Sequence, residues 1–492
     1  MTSMQSINEV EQWNVFEAAF EAHTDGNPFT DVSVRATFRN GDTEVEVEGF
    51  YDGSDVYRIR FMPESSGIWR YETRSSHIAL DGQTGSFLAT QPTGNNRGPV
   101  RVHDTCDFAY ADSSRYVELG TTCYAWIHQN EALREATLRT LSASPFNKVR
   151  MCVFPKWYPY NRVEPSLYPF EGEPPQMWDF SRFNTEFFQH LDRCVLELRD
   201  RGVQADIILF HPYDEEEWVV EKRSRGPHWG FDRMGPEIDD RYVRYMVARY
   251  AAYRNVWWSL ANEWDFVKAK SEADWNRIGR LVSESDPHNH LISIHNGFRI
   301  FDHSQPWVTH VSLQSDRAWE ARDHRERYRK PVIYDECCYE GTIEHGWGNI
   351  TAETMTSHFW TSMVGGAYCG HGETYYDPTE ELWWSKGGVL RGQSAERIAF
   401  LGQIMDRAPR GAQPLGQYGG WGIEGEYYLI YLGNRQPVRH FVGLPQDVEF
   451  HGDLIDTWNM TIESIPGKLS GNVELHLPGR PYMALRISRA KQ

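Results

Sequence analysis

The first part of the chain alternates apolar and polar positions with a period of two, the pattern of half-buried β-strands. The clearest example is GDTEVEVEGF from Gly41, and the Asn40-Gly41 pair that begins it is a strong hairpin-turn signal. Two further alternating stretches follow in VYRIRFMPESSGIWRYETR from Val56. The pattern predicts an N-terminal β-sandwich over residues 1–95, with a linker in QPTGNNRGP at 91–99.

From about residue 100 the pattern changes to short apolar runs separated by amphipathic stretches. In one such stretch, FNTEFFQHLDRCVLELRDRG, apolar residues from Phe187 to Leu198 share one helical face. The eight apolar runs are YVELGTTCYAW, NKVRMCVFP, VQADIILFHP, NVWWSLANEW, HLISIHNG, WVTHVSLQ, KPVIYDECC and GGAYCGHGE. Eight βα units predict a closed parallel (β/α)8 barrel over 100–410, although the fifth helix is poorly marked. A doubly wound open sheet is the alternative, but no GxGxxG follows the first run.

After the barrel region the chain returns to short strands that Gly, Pro and Asn punctuate. These strands are EYYLIYLGN, VRHFVGL, DVEFHGDLIDTWN and VELHLPGRPYMALRISR. They predict a C-terminal β-sandwich over residues 411–492. The predicted fold class is therefore α/β, a TIM barrel with a β-sandwich domain at each end.

The net charge and the aromatic content narrow the range of partners. The chain carries 50 Lys and Arg against 69 Asp and Glu, a formal charge of −19. A surface this negative repels nucleic acid and anionic membranes, so we expect neither as a partner. Aromatic residues make up 14% of the chain, with 19 Trp, and an indole face stacks well on the apolar face of a sugar. Composition thus favours a carbohydrate partner, and it leaves a homo-oligomer open.

The cysteines and the N-terminal segment indicate a cytoplasmic protein. Seven cysteines, without a CxxC pair, suggest neither a disulfide framework nor a zinc knuckle. The segment MTSMQSINEVEQWNVFEA lacks the basic and apolar regions of an export signal, and no apolar run is long enough to span a bilayer. Reduced thiols fit this compartment.

Two carboxylates end apolar runs at the positions where a barrel holds its reacting groups. In a (β/α)8 barrel those groups lie at the C-terminal ends of the strands. Glu263, preceded by Asn262, follows the fourth run, and Glu336 ends the seventh. The fourth and seventh strands lie across the barrel from each other, so we expect both side chains to face one cavity.

Glycosidic bond cleavage requires such a pair. One carboxylic acid protonates the leaving oxygen, and the other attacks the anomeric carbon or activates a water. We expect Glu263 to be the acid/base, with a pKa raised by burial and by its negative partner, and Glu336 to be the nucleophile. Asn262 is expected to hydrogen-bond the 2-hydroxyl of the sugar. A carboxyl separation of about 5 Å gives retention and one of roughly 6.5–9.5 Å gives inversion, so an inverting enzyme remains an alternative.

These residues resemble the active-site pattern of the clan A glycoside hydrolases, a superfamily of retaining barrel enzymes. SLANEW from Ser259 and VIYDEC from Val332 match the Asn-Glu pair of strand four and the Glu of strand seven. The resemblance implies that Arg150, in FNKVRM, holds the nucleophile ionised, and that His211, in ILFHPYD, is the strand-three histidine. It covers about residues 100–400, and the flanking β-domains resemble those of bacterial barrel proteins assigned as glycosidases.

Two positions depart from the clan pattern. Many members carry a Tyr after strand six that contacts the nucleophile, whereas WVTHVSLQSD offers only His310 or Gln314 in its place. Many also place a Trp at the end of strand eight, where this chain has GHGETYY and, further on, Trp383 and Trp384. We therefore do not expect the sugar pocket to copy a common clan A subtype.

Other polar and aromatic residues follow the runs and are candidates for substrate binding. They are Trp126 and His128 after the first run, Trp157 after the second, His295 in the fifth, and His371 and Glu373 in the eighth. Aromatic faces would stack on sugar, and the polar groups would bond hydroxyls. The histidines and Glu373 do not follow a metal-ligand motif, so we expect no metal and no other cofactor.

Long loops after strands two and three favour exo action. FPKWYPYNR from Phe154 and a charged insertion from Pro212, which carries Trp218, can close a cleft into a pocket. A cytoplasmic enzyme would meet imported oligosaccharides, and we expect it to trim them from one end. The alternative from another class is a non-catalytic carbohydrate-binding protein on the same barrel, which would bind glycosides without turnover.

Overall fold

The computed structural model describes residues 8–214, 228–416 and 420–490 of the chain. A sheet of eight parallel strands forms its centre, and strand-rich domains precede and follow it. The largest cluster of buried hydrophobic residues fills the central part, and a smaller cluster lies in each flanking domain. The predicted class, a (β/α)8 barrel between two β-sandwiches, is confirmed.

The N-terminal domain is a sandwich of two sheets around one apolar core. Phe38 and Phe61, from opposite sheets, stack with ring centroids 4.2 Å apart. The predicted hairpin turn is confirmed, because Asn40 pairs with Thr43 and Gly41 has a φ of 58°. The first sheet contains Asn8–Glu11, Thr84–Thr90, Gly67–Ser75, Val34–Asn40 and Thr43–Glu48, and the second contains Phe16–Glu21, Val56–Phe61 and Phe50–Tyr51. A separate hairpin, Val100–His103 with Asp107–Tyr110, leads into the barrel.

Each of the eight apolar runs supplies one parallel barrel strand. They are β1 (Gly120–Thr122), β2 (Lys148–Cys152), β3 (Gln204–Phe210), β4 (Val256–Ala261), β5 (Ile292–Ser293), β6 (Val311–Gln314), β7 (Val332–Glu336) and β8 (Tyr368–His371). Hydrogen-bonded neighbours follow the order β5-β4-β3-β2-β1-β8-β7-β6. A bridge between His295 and Ser312 joins the two outer strands. Because all strands run in one direction, their C-terminal ends meet at one rim.

Helices follow most of the strands. They are α1 (Glu131–Ala143), α2 (Thr185–Arg199), α3 (Pro236–Tyr250), α4 (Glu272–Ser285), α5 (Ala321–Tyr328), α6 (Ala352–Val364), α7 (Trp383–Lys386) and α8 (Ser394–Arg407). The prediction of a helix after β5 is wrong, because residues 294–310, all of them described, contain none. Gly297 and Pro306 interrupt this segment, and its apolar residues follow no helical period. A hairpin of Phe170–Glu173 and Met177–Phe183 extends the long loop after β2.

The C-terminal domain is a second two-sheet sandwich. Its six-stranded sheet contains Gln413–Pro414, Trp421–Ile423, Tyr427–Tyr431, Met483–Arg489, Phe450–Asp456 and Thr461–Leu469, and its two-stranded sheet contains Arg439–Gly443 and Asn472–His476. Apolar residues between the sheets, among them Phe450 and Leu485, are fully buried. Within the described ranges of the chain, none of the helices combines the length and apolar character needed to cross a membrane.

A buried ion cluster joins the N-terminal sandwich to the barrel. Arg60, from the strand Val56–Phe61, and Arg249, from α3, both donate to the carboxylate of Asp192 in α2, at 2.8 and 2.7 Å. All three side chains are buried. Buried charges of this kind are strongly destabilising when one partner is removed, so the cluster ties the sandwich to α2 and α3.

Candidate active site

The two glutamates at the C-terminal rim lie in one buried electrostatic environment. Glu263 directly follows Asn262 after β4, Glu336 is the last residue of β7, and each is only 5% exposed. The charge of Glu336 is one cause of the raised pKa of Glu263, and both carboxylates act on the ammonium group of Lys156. The two acidic groups are therefore near enough to influence each other's protonation.

Glu263 is held by its backbone and by two hydrogen bonds. Its φ and ψ of 52° and 56° are left-handed, a conformation that costs about 1–2 kcal/mol for a residue with a Cβ. Such strain concentrates at functional sites. Its Oε2 accepts from the hydroxyl of Tyr213 and, at 3.0 Å, from the side-chain amide of Asn262. Burial, followed by the charge of Glu336, raises the pKa of Glu263 to about 7.

The surroundings of Glu336 favour its ionised form. Its Oε1 accepts from the hydroxyl of Tyr124 and lies 3.5 Å from Nε2 of His295. Burial raises the pKa of Glu336, but His295, Tyr124 and Tyr339 outweigh it and bring the pKa down to about 2. At neutral pH one glutamate is thus ionised while the other retains a substantial protonated fraction, which is the division of charge that an acid and a nucleophile require.

Arg150 supports both glutamates through intermediate side chains. Its guanidinium lies 3.2 Å from Nδ1 of His295 and donates to Oδ1 of Asn262, also at 3.2 Å. Burial lowers the pKa of His295, and the ring is neutral. Because a guanidinium only donates, Nδ1 accepts and the proton is on Nε2, which faces Glu336. Arg150 therefore orients the groups that contact the glutamates, and within the described parts of the chain it makes no hydrogen bond to Glu336 itself.

Charged residues beneath the rim anchor Arg150 inside the barrel. Lys148 Nζ lies 2.7 Å from Asp335 and 3.0 Å from Glu118, and Arg150 lies within 3.6 Å of Asp206. All of these side chains are buried. Paired charges in a dry interior fix each other's orientation, because any unpaired charge there is costly. The network therefore fixes the position of the Arg150 side chain.

His211 positions Tyr213 rather than reaching a glutamate itself. Burial lowers the pKa of His211 to about 3, so the ring is neutral. Its Nδ1 accepts the backbone N–H of Tyr213 at 3.0 Å, and its Nε2 lies 3.1 Å from the carbonyl oxygen of Phe154. The histidine thereby links the loops that follow β2 and β3 and sets the tyrosine that donates to Glu263.

Lys156 projects into a cage of aromatic rings beside the glutamates. Its Nζ lies 3.8 Å from the ring centroid of Tyr124, 4.3 Å from that of Tyr213 and 4.4 Å from that of Tyr158. It is only 2% exposed, and no ion pair joins it to a carboxylate within the described ranges. Burial lowers its pKa, while Glu263 and Glu336 act in the opposite direction. The aromatic ring faces and the two acidic groups both attract its positive charge.

Of the two tryptophans predicted to contact sugar, Trp126 is a core residue and Trp157 stays a candidate. Trp126 is 0% exposed and its indole N–H donates to the sulfur of Met151, so it is a core residue and the prediction of sugar stacking is wrong. Trp157 remains partly exposed, with its ring edge-on to Trp229 at 6.4 Å. The predicted lid residue Trp218 lies outside the described residues.

The histidine candidates serve the surrounding structure. His128 packs on Phe187 of α2, with ring centroids 6.0 Å apart, and burial lowers its pKa to about 4. His295 is fully buried and contacts both Glu336 and Arg150, and its predicted bond to a sugar hydroxyl stays a prediction. A hydroxyl contact for His128 stays a prediction.

His371 and Glu373 belong to a cluster that anchors the start of α8. With Glu340 they bring potential ligand atoms within 4.8 Å of one another. Glu373, however, accepts the backbone N–H groups of 391 and 392, and Glu340 accepts those of 393 and 394. These bonds give both carboxylates a structural function at the start of α8. Their contact with sugar hydroxyls stays a prediction.

The two departures from the clan pattern have structural substitutes. The hydroxyl that donates to Glu336 at Oε1 comes from Tyr124, beyond β1, and not from β6, where His310 directly precedes the strand and Gln314 ends it. Gln314 lies 3.3 Å from His295. On the β8 side, Trp384 is partly exposed and packs on Tyr339, with centroids 5.6 Å apart. A second indole in that segment, Trp383, is buried and donates to Thr121.

The sequence analysis did not identify Tyr124, Tyr213 or Lys156. The two tyrosines donate hydrogen bonds to the glutamates, and the lysine places a positive charge beside them. Each follows a barrel strand closely, in TTCYAW, FHPYDE and FPKWYP. Their positions after β1, β3 and β2 were a usable signal, because every loop at this rim can reach the site. A lysine among aromatic residues, however, is not distinctive without coordinates.

A barrel with Asn-Glu after β4 and a buried Glu at the end of β7 has the architecture of the clan A glycoside hydrolases. The chain belongs to the family of the apiosidase-like catalytic domain, which matches residues 104–385. The flanking regions match two domains of unknown function, DUF5060 over 9–76 and DUF5605 over 416–488. Comparison with curated proteins found no match.

Two solved structures from one organism resemble this chain, and one of them covers nearly all of it. A protein described as a "putative glycoside hydrolase" from Bacteroides vulgatus ATCC 8482 is 39% identical, with a TM-score of 0.91 over 98% of this chain and 100% of that chain. A family 5 glycoside hydrolase from the same organism is 15% identical, with a TM-score of 0.60 over 80% of this chain and 93% of that chain. The second likeness concerns the fold alone. Structural neighbours and family together support a glycosidase.

Proposed function

We propose that the protein is a retaining glycosidase that works by double displacement, with Glu336 as nucleophile and Glu263 as acid/base. The observation that carries the proposal is the placement of two buried glutamates at one barrel rim in different hydrogen-bonding environments. These environments shift the two pKa values in opposite directions, to about 7 for Glu263 and about 2 for Glu336. The two carboxyl groups lie in different environments, and such a difference allows one to stay protonated as the acid while the other is ionised.

In the proposed first step, ionised Glu336 attacks the anomeric carbon while Glu263 gives its proton to the glycosidic oxygen. The leaving group departs as an alcohol, and a covalent glycosyl ester forms on Glu336. Glu263, now a carboxylate, removes a proton from water in the second step, and the hydroxide oxygen displaces Glu336. Tyr124 and His295 stabilise the carboxylate that is released. Asn262 donates to Glu263 in the unliganded site and is proposed to turn to the sugar 2-hydroxyl in the complex.

The substrate is proposed to be a short oligosaccharide or glycoside, cut from one end in the cytoplasm. The long loop after β2, with its hairpin of Phe170–Glu173 and Met177–Phe183, supports a pocket closed on one side. Partly exposed Trp157 and Trp384 supply aromatic faces for a sugar. Apiosides are the first substrates to test, because the matching family is described as apiosidase-like.

A screen of aryl glycosides that includes apiosides tests the proposal. Wild-type protein should release the aryl alcohol from at least one member, and Glu336→Gln should not. Proton NMR of the first-formed sugar should show the anomeric configuration of the substrate. Binding without turnover in the wild type would favour the carbohydrate-binding alternative, and a first product of opposite configuration would favour inversion.

Replacing Lys156 by Met should move the alkaline limb of the pH profile of kcat/KM to higher pH. The charge of Lys156 lowers the pKa of Glu263, so its removal lets Glu263 keep its proton into more alkaline solution. In the wild type this limb should lie near the Glu263 pKa of about 7. Lys156→Arg keeps the charge and should retain the wild-type limb. A Met variant whose alkaline limb is unmoved would contradict this role.

A further inference from the structure

One large aromatic side chain at the C-terminal rim is held in an exposed position. Phe298, in the loop after β5, is 80% exposed. It comes three residues after His295, the side chain beside Glu336. Exposing a phenylalanine to water forgoes about 1.5–3 kcal/mol of burial free energy. Its ring therefore offers an open apolar face at the rim of the site.

The loop that carries Phe298 is tied to the loop that carries Glu263. The carboxylate of Asp265 accepts the backbone N–H groups of Gly297, Phe298 and Arg299, at 2.6, 2.8 and 2.8 Å. The guanidinium of Arg299 also lies 4.4 Å above the ring of Trp264. Three charge-assisted bonds to one carboxylate fix the backbone beneath the exposed ring.

A second aromatic ring, that of Phe266, packs against Phe298 next to the proposed acid. Phe266, three residues after Glu263, meets Phe298 edge to face with centroids 5.2 Å apart. A Cβ on Gly297 would lie 2.4 Å from the Phe266 ring, so glycine is what allows this ring to rest on the backbone of the neighbouring loop. The two rings therefore form a step built from both loops, partly buried at Phe266 and open at Phe298.

We infer that this step, Phe266 and Phe298, is the subsite for the leaving-group sugar. The inference rests on the proposed function. The acid must reach the glycosidic oxygen, so the leaving group has to lie on the side of Glu263, and the step extends from the Glu263 loop. The apolar C–H face of a sugar stacks on an aromatic face such as the open side of Phe298. The preferred substrate is then a glycoside whose leaving group is itself a sugar.

Kinetics of Phe298→Ala on two substrates of the same glycon test the inference. One is a disaccharide or longer oligosaccharide, and the other is the glycosyl fluoride, whose leaving group is too small to reach Phe298. We expect kcat/KM on the oligosaccharide to fall by about three- to tenfold, mainly through KM, as the loss of one stacking contact implies. On the fluoride the variant should match the wild type.

Two further variants make the result specific. Phe298→Tyr keeps the ring and should restore the oligosaccharide kinetics. Phe441→Ala removes another exposed ring, at 67%, from the C-terminal domain and should change the kinetics on neither substrate. Equal losses on both substrates, or none on either, would overturn the inference. A loss on aryl glycosides but not on oligosaccharides would assign the step to an aromatic leaving group instead, while a wild type inactive on all substrates would overturn the proposed function.

Discussion

Glu336→Ala is expected to lower kcat by about ten-thousandfold or more on every substrate, because it removes the atom that forms the covalent bond. The loss should not depend on the leaving group, since a better leaving group cannot replace an absent nucleophile. Added azide or formate should restore part of the rate by attacking from the vacated side, and the product should then have the inverted configuration. Steady-state kinetics and NMR of the product measure both effects.

The matched control for this prediction is Glu463→Gln, an exposed glutamate of the C-terminal domain. It should keep the wild-type kcat, and the melting temperatures of both variants should show that they are folded. If Glu336→Ala kept a near-normal rate, Glu336 would be removed from the mechanism.

Glu263→Gln is expected to lower kcat/KM by about a hundred- to ten-thousandfold on substrates with poor leaving groups, the range of general acid catalysis. On a dinitrophenyl glycoside the first step needs no proton, so the loss in kcat/KM should be small. The second step still lacks its base, so the glycosyl-enzyme should accumulate and a burst of phenolate should precede slow turnover. Stopped-flow absorbance measures the burst.

The pH profile separates this role from a structural one. In the wild type, kcat/KM should fall with rising pH as Glu263, with a pKa of about 7, loses its proton. In Glu263→Gln the alkaline limb should disappear, because the amide does not titrate. A variant that loses activity equally on good and poor leaving groups and keeps its alkaline limb would assign the proton to another residue.

The barrel could be predicted because several of its strands, such as β3 (QADIILF) and β4 (VWWSLA), are buried runs rich in apolar residues. Such runs, separated by helical stretches, are typical of parallel sheets with covered faces. The helix expected after β5 is the exception, because a regular count of βα units suggested it where the local sequence did not. Residues 294–310 form the loop that carries Phe298 instead.

The positions of the glutamates at the rim followed from the ends of the runs, but their supports did not. A residue that ends a strand is visible in sequence, whereas a contact between loops depends on loop conformation. Tyr124 was missed in favour of Trp126, two residues later, because aromatic residues near a strand end are alike in sequence. Both are fully buried, and only the structure shows that Tyr124 donates to Glu336 and Trp126 to Met151. The link from Arg150 through His295 to Glu336 likewise joins residues that are distant along the chain and that only the closed barrel brings together.

Trapping the intermediate tests the central proposal most directly. A 2-deoxy-2-fluoro glycoside with an activated leaving group, made from the glycon found in the screen, should inactivate the enzyme by forming a slowly hydrolysed ester. Peptide mass spectrometry should find the added sugar on Glu336, and on no peptide of Glu336→Gln. An adduct on another residue, or complete turnover of active enzyme through a product of inverted configuration, would contradict double displacement at Glu336.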